Sequence, residues 1–316
     1  ATVLRAMPVT GQEDLVMGSH PPRPEMLLGP AGKTVDRLYA RVVHDQVRAA
    51  TRPYLVMLDR IHQHLVPRTY VEVGVSQGRS LALALPGTVC VGIDPEPQIQ
   101  FAVPRRSRIF AMTSDDFFAS VDVPGALDHL PLDLGFIDGM HRFEFALRDF
   151  MFLERYAAPH TAVLVHDCLP PDEPSASRDR TPPHWTGDVW KTIACLREMR
   201  PDLAVAVADV GPTGLGIIGR LDPTSTVLHD HYDEICERYL PMPYGEFERA
   251  DKTEMLGLVP GDWDHVRPLL ADRPFRDEDV TVLKAGRLVR AAPATARQWV
   301  RVRARRLSRR VGTASV

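Results

Sequence analysis

Between residues 69 and 167, apolar runs of strand composition recur at short intervals, and most give way to segments of helical spacing. The runs are "TYVEVGV", "TVCVGIDPEP", "SRIFAM", "PLDLGFIDGMH" and "HTAVLVHDCLPP"; "RFEFALRDFMFLERYA" between the last two has a clear 3.6-residue period. Near-continuous apolar strands alternating with helices predict a parallel sheet covered on both faces. "LAVAVADV" and "GLGIIGRL" then read as two strands joined by a tight turn at "GPT". The predicted fold is α/β: a doubly wound, mostly parallel, seven-stranded sheet that finishes in an antiparallel hairpin. "SLALAL" reads as the start of the first crossover helix, and Thr186 as the cap of a helix over "GDVWKTIACLREM".

The rest of the chain divides around this core. Residues 1–68 read as a Pro- and Gly-rich arm followed by two helices, "TVDRLYARVVHDQVRAA" and "PYLVMLDRIHQHLV", the second starting at Pro53. Residues 69–221 form the core, 222–284 an extension containing the helical "VLHDHYDEICERYL", and 285–316 a basic tail. After Asp279 there is no acid, while Lys284 and nine arginines follow, so the tail carries about +10 in a chain of net −3. It reads either as a solvated tail or as a surface helix touching anionic lipid or an acidic partner. No aromatic platform accompanies it, so nucleic acid is not expected as a partner. The cysteines, Cys90, Cys168, Cys195 and Cys236, match no zinc spacing; Cys90 and Cys195 read as core thiols. No apolar run is long enough to span a bilayer, the N-terminal residues lack the layout of a secretory signal, and the cysteines are read most simply as those of a reducing cytoplasm.

In an open parallel sheet, ligands bind beyond the carboxyl ends of the strands. Those ends carry Glu72 to Gly78, Asp94, Ser114 and Asp115, Asp138 to His141, and His166 with Asp167. The first loop is E-x-G-x-x-x-G and not the dinucleotide fingerprint. Asp94 follows about 20 residues after the first glycine, where a carboxylate can accept both hydroxyls of a ribose. Nothing basic stands ready for a pyrophosphate. A nucleoside without phosphates fits, and S-adenosylmethionine is one.

Residues 69–221 resemble a class I S-adenosylmethionine-dependent methyltransferase: "VEVGVSQGRS" is similar to its motif I, "GIDPEP" to the acidic end of its second strand, and the hairpin to its last two strands. "FIDGMHRFEFALRDF" and "AVLVHDCLPP" resemble a subgroup that includes sugar and macrolide O-methyltransferases and cephalosporin-hydroxylase-like proteins. The resemblance implies that Gly74 and Gly78 let the backbone approach the methionine part of the cofactor. Glu72 would order that loop or bind the amino group, Asp94 would hold the ribose, and Ser114 and Asp115 would lie near the adenine. It implies His141 as general base, with Asp138 beside it, and Asp138, His166 and Asp167 as metal ligands. Related enzymes often have an acid in the place of His166. An imidazole there suits magnesium less well and leaves room for manganese, iron or no metal.

The expected activity is methyl transfer to a hydroxyl of a sugar, glycan or glycosylated natural product, aided by a base and optionally by magnesium or manganese. The long stretch after Asp167, with Arg178, Arg180, His184 and Trp185, reads as a lid or a polar loop; Cys168 reads as a small residue at its hinge. Two alternatives stay open: a metal-dependent oxygenase on the same fold, and a non-catalytic cofactor-binding scaffold recruited to the inner membrane face by the basic tail. A homo-oligomer is compatible with the sequence, which does not fix the oligomeric state.

Overall fold

The computed structural model describes residues 53–180 and 185–270. The strands are β1 (Thr69–Val73), β2 (Val89–Asp94), β3 (Ser107–Ala111), β4 (Leu132–Ile137), β5 (Ala157–His166), β6 (Ala204–Asp209), β7 (Leu215–Gly219) and β8 (Leu258–Pro260). They form one sheet in the order β3-β2-β1-β4-β5-β7-β6-β8. Pairings from β3 across to β5 are parallel, and β7 runs antiparallel to both β5 and β6. The predicted sheet and terminal hairpin are present. The strand number is corrected from seven to eight, because Leu258–Pro260 pairs in parallel with β6. A three-residue strand has too little alternation to be read from sequence.

Alternating side chains divide β1 between two cores. Tyr70 points into a layer with α1 (Pro53–Leu65), where Leu58, Ile61, Phe136, Leu164 and Ile217 are buried. Val71 and Val73 point to the opposite layer, packed by α4 (Phe143–Glu154) and α5 (Trp190–Met199). The same layer takes Tyr239 from α7 (Tyr232–Tyr239), which follows the short α6 (Val227–Asp230), and Phe247 from α8 (Tyr244–Arg249). Tyr239 and Phe247, both after β7, are thus buried in this layer. Two short helices, α2 (Ser114–Ser120) and α3 (Val123–Ala126), link β3 to β4, while α9 (Lys252–Leu256) and α10 (Trp263–Val266) flank β8.

Two local expectations are corrected. "SLALAL" is not an α-helix: only Leu81–Leu83 form a 3-10 turn, and Ala84 is already extended. Pro86 disfavours helical backbone at Leu85, which leaves too few residues for a helix. Thr186 does not cap α5, whose first residue is Trp190; its hydroxyl donates to the Ser175 carbonyl. Cys90 and Cys195 are buried free thiols, as predicted, and Cys168 is buried too. The predicted helix over residues 34–50, His184 and the basic tail lie outside the described residues.

Candidate active site at the carboxyl edge of the sheet

β1 ends in a turn that only glycine accommodates at its first position. Gly74 has φ +90, and a Cβ there would stand 2.0 Å from the Asp138 carbonyl oxygen. The close approach that demands Gly74 is thus to the end of β4. Gly78 has φ +78 and donates its N–H to the Val75 carbonyl.

Glu72 lies beneath this loop, fully buried on the same face as Tyr70. Its carboxyl is bonded by the Tyr70 hydroxyl at 2.7 Å and the Ser80 hydroxyl at 2.6 Å. Burial pushes its pKa up to about 8, and the two hydroxyls only partly offset that. Of the two roles implied for Glu72, its bonding matches the ordering of the loop. Asp94 ties the loop from the other side: it accepts from the N–H of Ser76 at 2.7 Å and of Glu96 at 2.8 Å. An ionised carboxylate has about four acceptor positions, so capacity remains for ribose hydroxyls.

At the end of β3, Thr113 is the cap of α2, accepting from the Asp116 N–H. Asp115 forms a two-toothed ion pair with Arg148, at 2.9 and 2.7 Å. Ser114 bonds the buried Asp149, whose pKa burial raises to about 7. The "R-D" pair of α4 is therefore the partner of Ser114 and Asp115.

β4 and β5 bring Asp138, His141, His166 and Asp167 together. His141 Nε2 lies 3.2 Å from Asp138 Oδ1 and 3.2 Å from Asp167 Oδ2. His166 Nδ1 lies 3.2 and 3.1 Å from the same two oxygens. His141 and Asp167 have left-handed backbones, φ +53 and +62, a conformation non-glycine residues adopt sparingly and often at functional sites. Donor atoms of Asp138, His141 and Asp167 lie within 4.8 Å of one another. His166 faces both carboxylates from a more buried position.

The tautomer of His141 follows from its partners. Nδ1 is 2.9 Å from the Trp185 carbonyl, which only accepts, so the assigned network puts a proton on Nδ1. Nε2 then faces two carboxylates, and is favourable there only as a protonated donor or with a cation between them. Burial alone would lower the His141 pKa, but Asp138 and Asp167 outweigh it and raise it. For His166 burial again acts downward, and the charges of Asp167 and Asp138 lift the value to about 10. Burial disfavours the Asp138 charge, yet the two imidazoles hold its carboxyl well below the usual range.

Of two supporting residues, Tyr54 carries no sequence signal of its role, and Arg178 reads only as part of the loop after Asp167. Tyr54, at the start of α1, packs against His166 with the rings tilted by 33° and their centroids 4.1 Å apart. Arg178 joins Glu144 and Asp188, and so anchors the loop that lays Trp185 on His141 at 5.0 Å. Arg180 stands exposed.

Residues 71–168 match the family of the methyltransferase domain. The match covers about a third of the chain. The strand-end residues singled out in the sequence, from Glu72 to Asp167, fall within it. A comparison with curated proteins found no match. Among solved structures, the domain is similar to the O-methyltransferase TomG from Streptomyces achromogenes, solved with S-adenosylmethionine, at 16% identity, 63% of this chain, 92% of that one and a TM-score of 0.44. It is also similar to the methyltransferase PaMTH1 of Podospora anserina, solved with S-adenosylhomocysteine, at 15% identity, 59% and 88% coverage and a TM-score of 0.44. An O-methyltransferase from Bacillus cereus, likewise with S-adenosylhomocysteine, matches at 14% identity, 57% and 90% coverage and a TM-score of 0.40. Among the described residues, no helix is long and apolar enough to cross a membrane.

Proposed function

We propose that the protein is an S-adenosylmethionine-dependent O-methyltransferase whose acceptor is a hydroxyl of a sugar or glycosylated natural product. The observation that carries this reading is one continuous edge: the Gly74–Gly78 loop braced by Asp94, beside Asp138, His141 and Asp167. In it, Asp94 holds the ribose, the Gly74–Gly78 backbone receives the methionine part, Glu72 orders that loop, and Ser114 and Asp115 border the adenine.

The acceptor oxygen attacks the methyl carbon in line with the C–S bond. That bond breaks, S-adenosylhomocysteine leaves, and the hydroxyl proton passes to water or, without a cation, to His141. Two carboxylates and an imidazole converging on one point fit a divalent cation, and the nitrogen favours manganese over magnesium. In this reading Asp138, His141 and Asp167 are the ligands, and His166 orients both carboxylates through Nδ1 in place of its expected ligand role. A cation bound there would lower the acceptor hydroxyl's pKa. Without one, His141 would have to release a carboxylate contact to act as base, because both its nitrogens are engaged. Core residues 69–221 carry this chemistry.

The test is methyl transfer from labelled S-adenosylmethionine to a panel of glycosides, with and without manganese. Asp94→Ala should abolish cofactor binding; retained affinity would contradict the ribose role.

A further inference from the structure

A groove of about 540 Å³ lies between the first two turns of α1 and the turn from β8 into α10, beside the end of β6. That volume is in the range of small-molecule sites. Its walls are mainly apolar, from Pro53, Val56, Met57, Val210 and Trp263. Of its charged residues, Asp262 is committed to capping α10 through the N–H groups of Asp264 and His265. Arg60 has no ion pair among the described residues, and its guanidinium lies 5.0 Å over the Trp263 ring. Val56 is 45% exposed and Met140, between Asp138 and His141, 50%. With Val227 they are the exposed large hydrophobics among the described residues, so two of the three flank the carboxyl edge.

The groove adjoins the candidate active site. The Tyr54 N–H bonds the Gly211 carbonyl, which pins the start of α1 to the turn after β6. The Tyr54 ring then packs against His166, and Thr213 faces the other nitrogen of that histidine at 3.4 Å. β6 stands two strands from β5 in the sheet, a lateral offset of about 10 Å at ~4.8 Å per strand. A two-ring molecule bridges that distance.

We propose that this groove holds the apolar aglycone of a glycoside acceptor whose sugar hydroxyl lies at Asp138, His141 and Asp167. The proposal rests on the sugar O-methyltransferase reading and names the part of the acceptor that this reading leaves open. A sugar laid in the groove would lose water from its hydroxyls with few partners to replace it. A flat aromatic body gains by burial against Val56 and Met57 and by contact with the Trp263–Arg60 pair. β8 and α10 come from the segment after β7, so this wall is built outside the matched domain.

The experiment titrates the full chain first with S-adenosylhomocysteine and then, in its presence, with 4-methylumbelliferyl β-glucoside and with methyl β-glucoside. The expected result is at least ~10-fold tighter binding of the aryl glycoside, equivalent to about 1.4 kcal/mol. Trp263→Ala and Val56→Asp should each erase that preference and leave S-adenosylhomocysteine affinity unchanged. Val56 is exposed, so its variant tests the groove even if Trp263→Ala disturbs α10. Equal affinity for the two glycosides, no aryl binding, or variants that keep the preference would overturn the proposal. Cofactor binding without aryl preference sinks the groove alone; aryl preference without cofactor binding sinks the methyltransferase reading alone.

Discussion

Replacing Glu72 with glutamine is expected to remove a large pH-dependent loss of stability. The carboxyl is fully buried, and its pKa is raised from 4.5 to about 8, chiefly by burial. The folded state therefore holds a proton that the unfolded chain releases. The sign follows: this group's contribution is fully present below 4.5 and is lost as pH rises towards 8. The full gap corresponds to about 5 kcal/mol at 1.36 kcal/mol per pH unit. Between about pH 5.5 and about pH 8.5 the linkage relation gives a loss of about 3 kcal/mol. Glutamine keeps the shape and a polar partner for Tyr70 and Ser80 without a proton to lose. The assay is urea unfolding of both proteins across that range. Wild-type stability minus that of Glu72→Gln should fall by about 3 kcal/mol, with Asp149 and other titrating groups cancelling in the difference. Parallel pH profiles would refute the idea that Glu72 is held neutral under the cofactor loop.

Other consequences are more direct. Gly74→Ala puts a Cβ onto the Asp138 carbonyl at positive φ, which costs ~1–2 kcal/mol for the backbone alone plus the clash; a thermal melt should show severe destabilisation or no folded protein. Arg200→Ala leaves the Glu154 carboxylate, paired at 2.8 Å, buried without its partner, and chemical denaturation should report a loss of about 3–5 kcal/mol. Asp94→Asn should weaken S-adenosylhomocysteine by about 100-fold in calorimetry, since two charge-assisted hydrogen bonds at ~1.5 kcal/mol or more each are weakened or lost. Asp167→Asn should abolish manganese-stimulated methyl transfer and retained metal in elemental analysis while leaving cofactor affinity near wild type.

The sheet was legible because its strands are buried on both faces and so are apolar almost without interruption. β8 was not, since three residues carry no period, and "SLALAL" misled because its leucines fit a helix until Pro86 is weighed. Edge placement followed from topology: strand ends in a parallel sheet share one side, so Asp94, Asp138 and Asp167 could be grouped before their distances were known. What escaped was contact across the fold. Nothing in "PYLVM" says that Tyr54 meets His166, and nothing in a lid-like loop says that the Trp185 carbonyl fixes the His141 tautomer. That His141 reaches both carboxylates as closely as His166 does also depends on backbone conformation, here a left-handed His141.

The most direct test of the central claim is isothermal titration calorimetry of the full chain with S-adenosylhomocysteine, run with manganese, with magnesium and with chelator. Micromolar binding in all three conditions is the predicted result, with the cation altering turnover and not cofactor affinity. No binding in any of them would leave the fold intact and contradict the methyltransferase reading.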